Sequence, residues 1–262
     1  MKDMQESRRS YMDRRYALNV LAGFALCPLC ETSGFAAEDA HWSYSGATGP
    51  DHWGKLDAAS RLCSTGGQQS PLDIGTTIKA DLPALQISWL NNADTILNNG
   101  HTIQVNFADG STAAAGNERL MLQQVHFHRP SEHLIGSRSF PMEAHFVHSK
   151  ANGGLAVIGV LMTMGASNPT FAKIVAAMPA KPGPARQIDP SLDPNGLLPV
   201  ARGYFRYAGS LTTPPCSETV DWLLLTNTIE VAESDIAAFA RIYPMNARPA
   251  QTDNRRYVLR SS

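Results

Sequence analysis

The chain has 262 residues, with 22 basic side chains against 23 acidic ones and a formal net charge of −1 at pH 7. That near-balance offers no basic face for nucleic acid and no polybasic patch for an anionic membrane surface. Hydrophobic residues make up 43% of the chain, enough for a buried core, and no internal repeat, heptad pattern or low-complexity tract is present.

The first 36 residues differ in kind from the rest. Lys2, Arg8, Arg9, Arg14 and Arg15 precede an apolar run at 17–29, and small residues follow at Gly34, Ala36 and Ala37. This is the layout of a secretory leader. It predicts a signal peptide over 1–36, a single mature domain over 37–262, and a periplasmic or secreted product. Asn19 and Pro28 interrupt the apolar run, which falls short of the about 20 residues of a membrane span. No stable membrane insertion is therefore expected after leader removal. The paired Arg14 and Arg15 are compatible with twin-arginine export as well as the general route. The leader takes five basic and four acidic residues, leaving 17 against 19. Cys27 and Cys30 go with it. Cys63 and Cys216 remain, an even pair for which a disulfide is the default in an oxidising compartment.

Beyond the leader the chain carries HWSYSG at 41–46, GPDHW at 49–53, QSPLDI at 69–74 and LNNGHTIQV at 97–105. Residues 101–107 alternate, with Thr102, Gln104 and Asn106 on one face and Ile103, Val105 and Phe107 on the other. QVHFHRPSEH at 124–133 and MEAHFVH at 142–148 read as two more strands. Residues 155–162, within and beyond GLAVIGV (154–160), and 220–226 are denser apolar runs, as expected for central strands covered on both faces. A helix is predicted over 169–177, with Asn168 as N-cap and Pro169 in its first position. A second is predicted over 234–242, with Ser234 as N-cap and Ile236, Phe239 and Ala240 on one face. The Pro/Gly-rich stretch 179–199 reads as a surface loop. LTTPP at 211–215 reads as a turn, and NARPAQ lies at 246–251. The pattern is that of a mainly β domain with peripheral helices.

Two residues apart on a strand, His126 and His128 point to the same face. His145 lies on the next strand-like run, and a turn between the runs can bring its imidazole beside the other two. Three neutral imidazoles with a fourth position open form a catalytic zinc arrangement, of which carbonic anhydrase is the standard example. The alternation also sets Gln124 two residues before His126 and Glu143 two before His145, each on its histidine's face. Both can fix the ring of the neighbouring ligand.

The ordered series of motifs, above all QVHFHRPSEH, MEAHFVH and LTTPP, resembles an exported bacterial α-class carbonic anhydrase over about residues 41–259. The resemblance implies a large twisted, mostly antiparallel sheet of about ten strands, with zinc at the base of a conical cavity. It implies reversible hydration of CO2 to bicarbonate and a proton by zinc-bound hydroxide, sensitivity to sulfonamides, and room for esterase activity and for a homodimer. His126, His128 and His145 match the zinc ligands. Gln124, Glu143 and a backbone carbonyl near Asn246 match their outer partners. Thr212 matches the residue that accepts a hydrogen bond from the hydroxide and passes its own proton to Glu132, and Thr213 lies beside it at the bicarbonate. Val147, Val157, Leu211, Val220 and Trp222 match the CO2 pocket. His101 matches the proton shuttle, although alternation groups it with Ile103 and Val105, and Tyr44 and Asn99 match holders of its water chain. Cys63 and Cys216 match a paired disulfide. Arg129 stands where many animal members carry tryptophan, and Thr102 and Gln104 are expected at the cavity mouth, where the family varies.

Two other classes share part of this pattern. His126, His128 and Glu132 resemble the first cupin motif, in which the glutamate is a ligand to iron or manganese. The Gly that a cupin carries seven residues later is Ser139 here, and a second cupin motif is missing. A non-catalytic relative would lack a ligand histidine, whereas this chain keeps all three.

Overall fold

The computed structural model describes residues 42–262. The leader read over 1–36 lies outside the described residues. Thirteen strands form one mixed sheet. Its main path orders ten of them: Arg186–Gln187, Ala93–Asn98, Ile103–Phe107, Glu118–His128, Met142–Lys150, Leu155–Met164, Val220–Leu225, Tyr204–Gly209, Leu259–Ser261 and Ile78–Ala80. Leu85–Ser88, Thr112–Ala115 and Ile229–Val231 branch from that path. The sheet is thus larger than the ten strands expected, through these short branches. Three pairings are parallel: Leu155–Met164 with Val220–Leu225, Leu155–Met164 with Ile229–Val231, and Leu259–Ser261 with Ile78–Ala80. The other pairings in the sheet are antiparallel.

The period of two along each central strand divides its side chains between two apolar layers. On Leu155–Met164, Ala156, Ile158, Val160 and Met162 enter the larger core, while Val157 and Leu161 enter a smaller one. Val220–Leu225 does the same, with Leu223 and Leu225 on one side and Val220, Trp222 and Leu224 on the other. Both sides are buried, so these runs are dense in apolar residues, as the sequence predicts.

The helix Pro169–Ala177 has the predicted bounds. The Asn168 side-chain oxygen accepts hydrogen bonds from the N–H groups of Thr170 and Phe171, both at 3.0 Å. The second helix spans Glu233–Ala240 and is capped by Ala232, so Ser234 lies inside it rather than at its N-cap. Glu233 and Asp235 occupy its first turn, where acidic side chains favour the helix dipole. The 179–199 stretch is more than a surface loop. It contributes the strand Arg186–Gln187 and the 3-10 turn Pro194–Leu197, and it buries Ile188, Leu192 and Leu197 in the larger core. Cys63 and Cys216 form a disulfide across 153 residues, packed with the fully buried Trp53 in a third apolar cluster.

Candidate metal centre

The two histidine strands are antiparallel neighbours, and His126 is the direct register partner of His145. A β-bulge between Leu122 and Gln124 resets the alternation of the first strand. Before it Leu120 and Leu122 enter the larger core, and after it Val125 and Phe127 do. Gln124, His126 and His128 therefore share the opposite face with Glu143 and His145. Ring centroids of the three histidines lie 4.5–5.2 Å apart. Each offers a ligand atom within 4.8 Å of the others.

One nitrogen of each ring is already engaged. His126 Nδ1 is 2.9 Å from Gln124 Oε1, His128 Nδ1 is 2.7 Å from the Asn246 carbonyl, and His145 Nε2 is 2.8 Å from Glu143 Oε1. Nε2 of His126, Nε2 of His128 and Nδ1 of His145 remain for a ligand. His128 Nε2 is buried without a hydrogen-bond partner. Burial lowers the pKa of all three rings, that of His128 to about 4, which keeps them neutral and able to donate electron pairs. The donor set, the orphaned nitrogen and the neutral state fit zinc with an open fourth position.

Glu143 is anchored by four donors. Oε1 receives His133 Nδ1 at 2.7 Å as well as His145, and Oε2 receives the N–H groups of Glu132 and His133 at 2.9 and 2.8 Å. Burial pushes its pKa up, but the two histidines outweigh burial and hold it well below the usual carboxylate range. His133 Nε2 in turn meets Tyr207 Oη at 2.6 Å, and Tyr207 bonds Ser70 at 3.1 Å. Sequence reading missed this buried chain of His133, Tyr207 and Ser70. Its signal was His133 at the end of the first histidine motif, one residue from Glu132. Gly159 was missed as well. It is the register partner of His145, and a Cβ there would lie 3.2 Å from Glu143 Oε1.

Glu132 is buried beside the same rings. Its Oε1 accepts the Arg248 N–H at 2.8 Å, and its Oε2 lies 3.8 Å from His145 Nδ1. Oε2 has no hydrogen bond of regular geometry, although the Thr212 hydroxyl is near enough to favour the carboxylate. Burial raises the Glu132 pKa to about 7 against the opposing pull of His145, the Arg248 N–H and Thr212. Glu132 is absent from the converging donors, which a cupin-type site would require. Thr212 is buried, and Thr213 is half-buried in a turn closed by the Cys216 N–H on the Thr213 carbonyl. Val147, Val157, Leu211, Val220 and Trp222 all belong to the smaller apolar layer, with the Trp222 ring 4.8 Å from that of His145.

His101 precedes the strand Ile103–Phe107 and lies in a turn, so strand alternation does not govern it. Its ring stacks on Trp42 at 3.5 Å and 9°, with Tyr44 edge-on at 6.5 Å. Asn99 is exposed and shapes that turn. Its Oδ1 accepts the N–H groups of His101 and Thr102, both at 2.9 Å. Thr102 is buried, and its hydroxyl bonds the Phe127 carbonyl at 2.5 Å. Gln104 is half-buried and bonds Asn106 at 2.7 Å. The Arg129 guanidinium bonds the Pro244 carbonyl.

The family model for eukaryotic-type carbonic anhydrase matches residues 48–262. A carbonic anhydrase of Pectobacterium carotovorum is 40% identical over 228 residues, covering 87% of this chain and 93% of the relative. One from Neisseria gonorrhoeae is 42% identical over 221 residues, covering 84% and 87%. Among solved structures, the α-carbonic anhydrase of Thermovibrio ammonificans in complex with the inhibitor sulfanilamide superposes with a TM-score of 0.82. It is 40% identical and covers 84% of this chain and 98% of its own.

Proposed function

Because the chain belongs to the eukaryotic-type carbonic anhydrase family, a family of lyases acting on CO2 and bicarbonate, we propose how its own residues perform that reaction. His126, His128 and His145 hold one zinc ion. The observation that carries this reading is the orphaned His128 Nε2, buried among three rings whose other nitrogens are all engaged. Bound zinc supplies a nucleophile at neutral pH by lowering the pKa of a water to about 7, an effect for which carbonic anhydrase is itself the reference case.

Gln124, Glu143 and the Asn246 carbonyl fix the tautomer and aim of the three ligands. Thr212 donates its proton to Glu132 and presents only a lone pair to the cavity. It thereby orients a nucleophile that carries a proton and disfavours anions that carry none. Thr213 holds bicarbonate beside it. Apolar CO2 rests on Val147, Val157, Leu211, Val220 and Trp222. His101, with Tyr44 and Asn99 arranging water, carries the released proton to solvent, a task suited to imidazole because it can both accept and release a proton near neutral pH.

No described helix is long and apolar enough to cross a membrane, and the Cys63–Cys216 disulfide fits an exported protein. Residues 1–36 serve as the leader for a periplasmic or secreted enzyme.

Metal analysis with stopped-flow CO2 hydration tests the assignment. The zinc-loaded protein is expected to hold one zinc and to be active, and His145→Ala to lose both. Gln124→Ala is expected to cost about 10–100-fold in affinity or activity. Full activity in His145→Ala would remove the ligand set.

A further inference from the structure

Asn246 enters the site twice. Its backbone carbonyl accepts a hydrogen bond from His128 Nδ1–H at 2.7 Å, and its side chain does something separate. Oδ1 accepts the Arg129 N–H at 2.8 Å, and Nδ2 donates to the Phe127 carbonyl at 2.9 Å. The amide thus brackets His128 along the chain, bonding the residue before it and the residue after it. The Asn246 N–H closes the frame on the Arg129 carbonyl at 2.9 Å. The remaining Nδ2 hydrogen goes to the His101 carbonyl at 3.0 Å. Asn246 is fully buried, and every polar group it has is used.

This bonding pattern fixes two things at once. The carbonyl that orients the His128 ring is held in place by the backbone of His128's own strand, so carbonyl and ring cannot drift apart independently. The turn that carries His101 is tied to the same amide. Thr102 provides a parallel tie, because its hydroxyl shares the Phe127 carbonyl. We propose that the Asn246 side chain is a positioning residue that couples the His101 turn to the orientation of the His128 ring. Ligand hold and proton export then depend on one buried amide. The proposal rests on the reading of His128 as ligand and His101 as shuttle.

Truncation removes the side-chain partner of the Arg129 N–H, cuts the tie to the His101 carbonyl and leaves the Phe127 carbonyl with the Thr102 hydroxyl alone. The Asn246 carbonyl persists, framed only by the bond from its own N–H to the Arg129 carbonyl. In zinc-loaded Asn246→Ala, release of zinc to a chelator should accelerate about 10–100-fold, the range for outer partners of metal ligands. In CO2 hydration, kcat should fall more than kcat/KM, and small imidazole buffers should restore part of the lost kcat. Thr102→Val, which removes only the parallel tie, should leave zinc release unchanged.

A measurement on the unmodified protein covers the case in which Asn246→Ala does not fold. Coupling is reciprocal, so removing zinc should speed hydrogen exchange at the amides of His101, Thr102 and Arg129. Unchanged exchange there, or a folded Asn246→Ala with unaltered zinc release and an unaltered kcat to kcat/KM ratio, overturns the proposal. His101→Ala separates it from the reading beneath it. If that variant keeps full kcat, the shuttle assignment fails, while zinc release from Asn246→Ala still decides the link to His128.

Discussion

At the scale of single residues, the site depends on which atoms have spare hydrogen-bonding capacity. Thr212 is buried beside Glu132, and in the proposed function its one proton goes to that carboxylate while its lone pairs are left for the ligand. An ionised sulfonamide carries one N–H for the Thr212 oxygen to accept, and a simple anion carries none. Thr212→Ala should therefore weaken sulfonamide inhibition and slow hydration, while halide or cyanate inhibition holds or strengthens. A uniform loss of affinity for all of them, read from inhibition constants, would show that Thr212 does not discriminate. Gly159 makes a second case. A Cβ there would approach Leu224 Cδ1 at 2.7 Å and Glu143 Oε1 at 3.2 Å. The leucine end can swing aside. The carboxylate oxygen cannot, since it receives both His133 and His145. Gly159→Ala should speed zinc release by about 10-fold, measured against a chelator, and wild-type release rates would show that Glu143 has room to move.

At the scale of elements, the bulge at Gln123 and the strand Met142–Lys150 do the placing. The bulge lets a strand that begins with Leu120 and Leu122 in the core end with His126 and His128 on the other face. The second strand needs no bulge, and its odd positions Glu143, His145 and Val147 face the centre while Met142, Ala144 and Phe146 enter the larger core. His148 follows that second set. It is fully buried, its ring stacked 5.6 Å from Trp89 and its Nδ1 bonded to the Phe146 carbonyl at 2.9 Å. Burial lowers its pKa to about 4, only partly opposed by that hydrogen bond. Unfolded chain binds a proton below about 6.5 that the folded chain refuses until about 4, so stability falls as pH drops through that window and levels off beneath it. The span corresponds to about 3 kcal/mol. In zinc-saturated protein, His148→Phe should flatten the dependence of the urea midpoint on pH between 7 and 4.5. Equal slopes in the two proteins would assign the acid sensitivity to other groups.

At the scale of the whole molecule, the disulfide joins segments 153 residues apart and sits at the edge of the Thr212 turn. Arg248 extends this closure. Its buried guanidinium donates to the carbonyls of Cys63 and Ser70 and to Gln69 Oε1 at 2.8–2.9 Å, while its backbone N–H holds Glu132. A bridge over so long a loop contributes about 2–5 kcal/mol. Reduction should lower the denaturation midpoint accordingly, and intact-mass analysis without reductant should find the bridged pair two hydrogens lighter than free thiols. Two free thiols in the purified protein would remove the bridge from the account.

Much of this centre is legible in the sequence because strands impose a period of two. Gln124 with His126, and Glu143 with His145, are neighbours on a face by spacing alone, and Asn168 with Pro169 marks a helix start by local chemistry alone. The motif series points to the family, and through it to Thr212, Glu132 and the Cys63–Cys216 pair. What depends on contacts far apart in the chain is not legible. The bulge at Gln123, the register of His126 on His145, the burial of Thr102 and the entry of 188–197 into the core follow from how thirteen strands pack. The Asn246 amide, the Arg248 anchors and the chain from Ser70 through Tyr207 to His133 join residues 74 to 185 positions apart. Alternation fixes which side of a strand a residue faces. Only the packed sheet decides what waits on that side, because a buried polar atom takes its partner from whichever segment folding brings within reach.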